Sequence, residues 1–186
     1  LVHQTPEIFK FMLKNKMTGR KGEGGFYKLI EKNKNKIKHS LNLNTRKYSV
    51  SSKPKIENFK IINKNLKNYL NQNDQFSKYA WNVLSDVLYY ILCIADEIAE
   101  DIISIDEAMK NGFGWKLGPF EIIDKIGSSF LKEKLLSSKK NIPLLLKAIG
   151  NNKFYKIEDN EIKYFDLIKN DYNILKRNEG VILLSD

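Results

Sequence analysis

The sequence predicts a mainly α fold with small β-hairpin appendages, and three observations predict it. Residues from Phe76 to about Glu100 place apolar side chains on almost every face of one long helix. A dense string of helix stops and starts follows, from Ser104 to Gly127. The tripeptide Phe-Tyr-Lys occurs twice, at Phe26–Lys28 and Phe154–Lys156, and each copy leads into short strands parted by turn residues.

Taken in chain order, Thr5-Pro6 predicts a first helix with Thr5 at the N-cap and Pro6 at the first helical position. Ile8, Phe9, Met12 and Leu13 form its apolar stripe. The helix runs into Gly19, Gly22, Gly24 and Gly25, which suit a tight turn, and Phe26-Tyr27 starts a strand. Asn35 and Asn44 suit the two turns that follow. Ser51-Ser52-Lys53-Pro54 reads as a joint, and Glu57–Leu70 carries Phe59, Ile62, Leu66, Tyr69 and Leu70 at helical spacing. Asn71–Asp74 breaks that helix.

In the long helix, Trp81, Val83, Leu84, Val87, Leu88, Tyr90, Ile91, Leu92, Ile94 and Ala95 leave little polar surface. Such a helix is either the centre of its unit or a protein interface. Cys93 lies in this run, so a buried thiol is expected. Next, Ser104 with Glu107 predicts a capping box, and Asn111-Gly112 a helix stop. Pro119 suits the first turn of another helix, which Gly127 closes. Ile142-Pro143-Leu144 opens a short helix that runs into Phe154-Tyr155-Lys156, with turns expected at Asp159-Asn160 and Asn170-Asp171.

The two copies of this tail define an internal repeat. The second copy is a whole helical unit; the first supplies only its last helix and hairpin, so the start of that copy is expected upstream. The organisation is therefore residues 1–50 as the tail of a first repeat, 51–73 as a linker with a short helix, and 74–176 as a second repeat. Residues 177–186 would begin a following segment, either a strand entering another domain or an edge strand on the Phe154 hairpin.

Bulk properties bound the function. Hydrophobic residues make up 42% of the 186, enough for a core, and a single cysteine excludes an internal disulfide framework. No apolar run reaches the roughly 20 residues needed to span a bilayer, and no secretory leader is evident, so a cytoplasmic location is expected. The net charge of +10 is compatible with nucleic acid or an anionic ligand such as the phosphates of coenzyme A, although lysine is scattered through every segment.

A dinucleotide site needs a strand, a G-x-G-x-x-G turn and then a helix; the glycines at 19–25 precede a strand and lack that pattern. His3 and His39 have no Glu in a matching motif and are expected to be solvated. Asp96, Glu97, Glu100 and Asp101 lack metal-site spacing and sit at a helix C-terminus, where acids are disfavoured. No metal ligands are therefore assigned. Phe113 and Trp115 read as core or interface anchors.

The string from Ser104 to Gly127 also carries a resemblance. Ile105-Asp106, Ala108-Met109, Gly112-Phe113-Gly114-Trp115, Gly118-Pro119-Phe120-Glu121, Asp124 and Gly127 resemble the C-terminal helical region of the 3-hydroxyacyl-CoA dehydrogenases of fatty-acid β-oxidation. Gly19–Lys28, GRKGEGGFYK, is similar to the end of such a domain. The resemblance implies a helical fold like the C-terminal domain of 6-phosphogluconate dehydrogenase. It also implies a parent activity: NAD-dependent oxidation of L-3-hydroxyacyl-CoA to 3-ketoacyl-CoA. In that family the nucleotide-binding half supplies the NAD site and the catalytic His, held by a Glu. The helical half supplies scaffold, the dimer or pseudo-dimer contact, and closure over acyl-CoA. Asn82 falls near the family's substrate-binding Asn, although Val83 stands where the family has Arg. The chain alone is thus expected to bind no cofactor and to be catalytically silent. The alternatives are a non-enzymatic interaction remnant, binding through the long helix and Trp115, and a basic nucleic-acid-binding domain.

Overall fold

A computed structural model describes residues 4–32, 34–52 and 65–176. The expectations for His3, for most of the joint before residue 65 and for the tail beyond residue 176 lie outside the described residues. The chain divides into two units, Leu1–Ile56 and Glu57–Asp186.

In the first unit, helix α1 spans Glu7–Lys14. Pro6 is the extended residue before it, with ψ 145°, so the helix starts one residue later than expected and Thr5 does not cap it. Of its apolar stripe only Met12 is buried; it joins Met17 and Leu41, with Ile8, Phe11 and Tyr48 packed alongside. Phe9 and Leu13 stay exposed, because this small core has no further layer to receive them. The glycines close a tight turn, as expected. Gly19 N–H donates to the Gly24 carbonyl at 2.7 Å, and both have positive φ, 102° and 116°. Strands β1 (Tyr27–Lys32), β2 (Asn35–Leu41) and β3 (Tyr48–Val50) then form an antiparallel meander in the order β1-β2-β3. His39, on β2, is half-buried rather than fully solvated, with Nδ1 3.2 Å from the Ile37 carbonyl oxygen.

The second unit is a helical bundle ending in a second meander. Helix α2 spans Leu66–Leu70, capped by the Asn65 side chain. Helix α3 spans Gln75–Ile98, and Asp74 caps it by accepting the N–H groups of Phe76 and Ser77. Helix α4 spans Ile102–Phe113. Asp101, not Ser104, is its cap: the carboxylate accepts Ser104 N–H at 2.7 Å, so Ser104 is already in the first turn. The acid expected to strain the end of α3 instead starts α4. Helix α4 also runs past Gly112 and stops at Gly114, whose φ of 68° is the left-handed turn a helix end takes. Helix α5 (Pro119–Ile126) has Pro119 in its first turn and Gly127 at its close, as expected. Helix α6 (Ser128–Ser137), which the sequence reading did not single out, follows directly. Then come α7 (Leu144–Ala148), behind Pro143, and strands β4 (Tyr155–Glu158), β5 (Glu161–Phe165) and β6 (Tyr172–Ile174).

Leu88, Ile102, Phe120, Ile123, Leu131 and Phe154 are among the fully buried side chains of this unit. Each such residue contributes roughly 1.5–3 kcal/mol of transfer free energy. Helix α3 is not buried all round: Leu88, Ile91, Leu92 and Ala95 face the core, while Phe76, Tyr79, Val83 and Tyr90 are 49–70% exposed. Cys93 lies on the open side too and is exposed, contrary to the expectation of a buried thiol.

The two meanders that follow Phe-Tyr-Lys share contacts in atomic detail. Leu41 N–H donates to the Phe26 carbonyl and Phe165 N–H to the Phe154 carbonyl, both at 2.8 Å. Asn42 and Asp166 each accept two backbone N–H groups in the second turn, and Arg46 and Asn170 each take positive φ there, 56° and 53°. The Tyr48 hydroxyl donates to the Gly25 carbonyl, the Tyr172 hydroxyl to that of Lys153. Lys28 and Lys156 lie over those two tyrosine rings at 4.2 and 4.0 Å. The first hairpin is two residues longer on each strand, with 6 and 7 residues against 4 and 5, so the second turns match residue for residue while the first lie at different distances from Phe-Tyr-Lys.

Candidate functional site

The Ile-Asp and Gly-Pro-Phe-Glu segments meet. Asp106 on α4 is fully buried and accepts the N–H groups of Phe120 and Glu121, at 2.9 and 3.2 Å, at the start of α5. A helix N-terminus has unpaired N–H groups and partial positive charge, so a carboxylate there serves as a cap supplied from another helix. The Tyr155 hydroxyl donates to the same carboxylate at 3.0 Å. Gly118 is required for this approach: a Cβ there would lie 2.2 Å from Asp106 Cγ. Glu121 reaches back to Gly118 N–H at 2.8 Å and pairs with Lys110 at 2.9 Å.

Asp124, at the other end of α5, accepts the N–H groups of Phe154 and Tyr155 at 2.6 and 2.8 Å. Helix α5 thus carries the meander on two carboxylates, with the Phe120 and Phe154 rings edge to face at 4.8 Å. Burial pushes the pKa of Asp106 up to about 6, against the opposing pull of its donors, and does the same for Asp124. Burial, with the nearby Asp106, also raises the Tyr155 hydroxyl. Every polar atom of this cluster is committed to the fold, so it is a lock that holds helix to strand.

The open surface lies on α3. Asn82 is exposed there, and its backbone carbonyl accepts the Ser85 hydroxyl. Further along α3, Tyr89, Leu92, Cys93 and Asp96 border a hollow of about 620 Å³, closed on the far side by Pro143 and Leu144. Trp115 is half-buried against the core, whereas Phe113 is 76% exposed, so only Trp115 serves as a core anchor. The glycines at 19–25 close on one another ahead of an antiparallel strand and do not fit a dinucleotide. Among the described residues no three His, Cys, Asp or Glu side chains converge as a metal site, and no helix is long and apolar enough to cross a membrane.

Sequence reasoning quoted Asp106, Gly118 and Asp124 without assigning them roles. A signal was available: each acid directly follows an isoleucine of an apolar helix stripe, in Ile105-Asp106 and Ile123-Asp124, and an acid next to such a stripe predicts a buried carboxylate that must find donors.

A mainly α bundle whose helix start is capped from a neighbouring helix, with a meander latched beneath it, is the class of domain this unit defines. Residues 83–142 match the family described as 3-hydroxyacyl-CoA dehydrogenase, C-terminal domain. A Bacillus subtilis (strain 168) protein named as a 3-hydroxyacyl-CoA dehydrogenase is 33% identical over 98% of this chain. A Rickettsia felis protein named as a fatty acid oxidation complex trifunctional enzyme is 31% identical over 97%. The chain belongs to the family of 3-hydroxyacyl-CoA dehydrogenase C-terminal domains. It spans about a quarter of the length of these curated relatives, 24% of each. No solved structure matches it.

Proposed function

We infer that this chain is the helical C-terminal part of an NAD-dependent L-3-hydroxyacyl-CoA dehydrogenase of fatty-acid oxidation, supplying scaffold, a dimer or pseudo-dimer contact and part of the acyl-CoA site. The observation that carries this reading is the alignment of nearly the whole chain with only 24% of a relative named as a 3-hydroxyacyl-CoA dehydrogenase and 24% of one named as a fatty acid oxidation complex trifunctional enzyme. The NAD site and the catalytic base belong to a nucleotide-binding domain outside this segment, and the chain alone is catalytically silent. The reaction takes place in the cytoplasm. Residues 1–50 are the last helix and meander of a first repeat, and residues 74–176 are a second.

Two surface features support specific roles. The exposed row Phe76, Tyr79, Val83 and Tyr90 on α3 has the spacing of a helix–helix seam and suits the subunit or inter-repeat contact. Asn82, beside that row, has a free carboxamide to hydrogen-bond a polar group of the substrate. The same apolar row favours the second reading, an interaction module with no enzymatic role.

The test is complementation. The chain is mixed with the nucleotide-binding domain of the Bacillus subtilis relative, NAD and a 3-hydroxyacyl-CoA. NADH should form only when both proteins are present, and Asn82→Ala should lower the rate about tenfold, as loss of one substrate hydrogen bond does. NADH from the chain alone would refute its silence. Failure of the mixture to turn over, with no acyl-CoA bound, would leave the interaction module as the better reading.

A further inference from the structure

The second unit shows what covers the start of a meander, and the first unit presents the same start uncovered. Phe154 is fully buried under Phe120, and Tyr155 is half-buried; their counterparts Phe26 and Tyr27 are 38% and 58% exposed. Strand β1 is an edge strand. Leu41 N–H donates to the Phe26 carbonyl, so the next pair, Tyr27 with Ser40, is the non-hydrogen-bonded kind, and Tyr27 N–H points off the open edge. The matching N–H of Tyr155 is the group that Asp124 accepts.

Charge differs in the same sense. Lysine recurs in every segment, but the first unit holds fourteen Lys and Arg against three acids, while the second holds eighteen against nineteen. The positive excess of the whole chain therefore belongs to the first unit. Beside Tyr27 is a shallow hollow of about 520 Å³ whose rim includes Arg20, Lys28 and Lys38.

We propose that the Phe26–Tyr27 edge of the first unit docks an acidic two-helix segment built like residues 101–127 of this chain. One carboxylate of the partner accepts the N–H groups of Phe26 and Tyr27, a second accepts the Tyr27 hydroxyl, and an aromatic side chain covers Phe26. This rests on the reading of residues 1–50 as the end of a helical unit, and it specifies the chemistry of the missing cover. The basic rim attracts the segment, and the edge N–H groups set its register.

The probe is a synthetic peptide of residues 101–127, with a second version stapled into helices away from Asp106 and Asp124, so that peptide folding does not limit binding. Each is titrated into the ¹⁵N-labelled full chain. The amide resonances of Phe26 and Tyr27 should move, and a peptide carrying D106N and D124N should bind at least about tenfold more weakly. Tyr27→Phe in the full chain, an exposed position that keeps its fold, should weaken binding about threefold to tenfold. Unmoved resonances at millimolar stapled peptide, or equal binding of the two peptides, would overturn the proposal. So would a single-stranded oligonucleotide that moves the same resonances at lower concentration than the peptide. Complementation with the nucleotide-binding domain is read separately: if activity appears while docking fails, only this inference falls.

Discussion

The meander of the first unit and that of the second share strand order, second-turn geometry and a tyrosine latch, yet Phe26 is 38% exposed while Phe154 is fully buried. The strands and turns are local structure, held by their own hydrogen bonds, and they form the same way in both settings. The aromatic at the start of the first strand has no local partner. Whether it becomes core depends on a helix from elsewhere in the chain: α5 in the second unit, and only the edge of Phe9, at 5.8 Å, in the first. A repeated sequence thus sets a repeated shape without setting repeated stability.

The sharpest way to break this comparison is to cut the same side chain from both copies. Phe154→Ala should cost the second unit about 3–5 kcal/mol, the usual cost of emptying a buried phenylalanine site. Phe26→Ala should cost the first about 1 kcal/mol or less, since much of that ring is already in water. Both tryptophans, Trp81 and Trp115, lie in the second unit, so their fluorescence in urea follows it alone, while amide exchange follows the first. Equal losses would mean that the two aromatics are equally covered in solution.

A second contrast is pH. Asp106 has its carboxyl pKa raised from 3.8 to about 6, chiefly by burial. Between those values the folded protein keeps a proton that the unfolded chain has lost. Stability of the second unit therefore falls as pH rises from about 4 to about 6, and is level above that. Across the full window this one group accounts for roughly 3 kcal/mol. Asp124, raised for the same reason, acts in the same direction. Urea midpoints followed by tryptophan fluorescence should drop over this range, and Asp106→Asn should flatten the drop. A midpoint that climbs instead would show that the helix N–H donors outweigh burial.

The smallest effect tests where the copies agree. Tyr48→Phe and Tyr172→Phe each remove a hydroxyl-to-carbonyl bond on a partly exposed ring. Each should cost about 1 kcal/mol, measured by exchange of the amides in its own meander. A clear inequality would mean that the latches are not equivalent, and would weaken the repeat as a guide to the uncovered edge.

Much of this was legible from residue order. The meanders, their second turns, Pro119 and Gly127 follow from local backbone preferences, which act within a few residues. Both boundaries of α4 were misplaced because Asp101 and Ser104 are both good caps, as Gly112 and Gly114 are both good stops; local chemistry alone does not rank them. The buried face of α3 was overestimated for a related reason. Apolar spacing shows that a helix can be covered all round, but not how many neighbours arrive.

Local punctuation, the duplicated meander and the resemblance to a dehydrogenase helical domain were therefore properties of the sequence itself. What the tertiary structure alone decided was the use of Asp106 and Asp124. Each carboxylate is bound by N–H groups 14 to 31 residues away, and it stays buried only because α5 and β4 deliver those donors together. Long-range delivery of donors is a consequence of packing, and no window of neighbouring residues contains it.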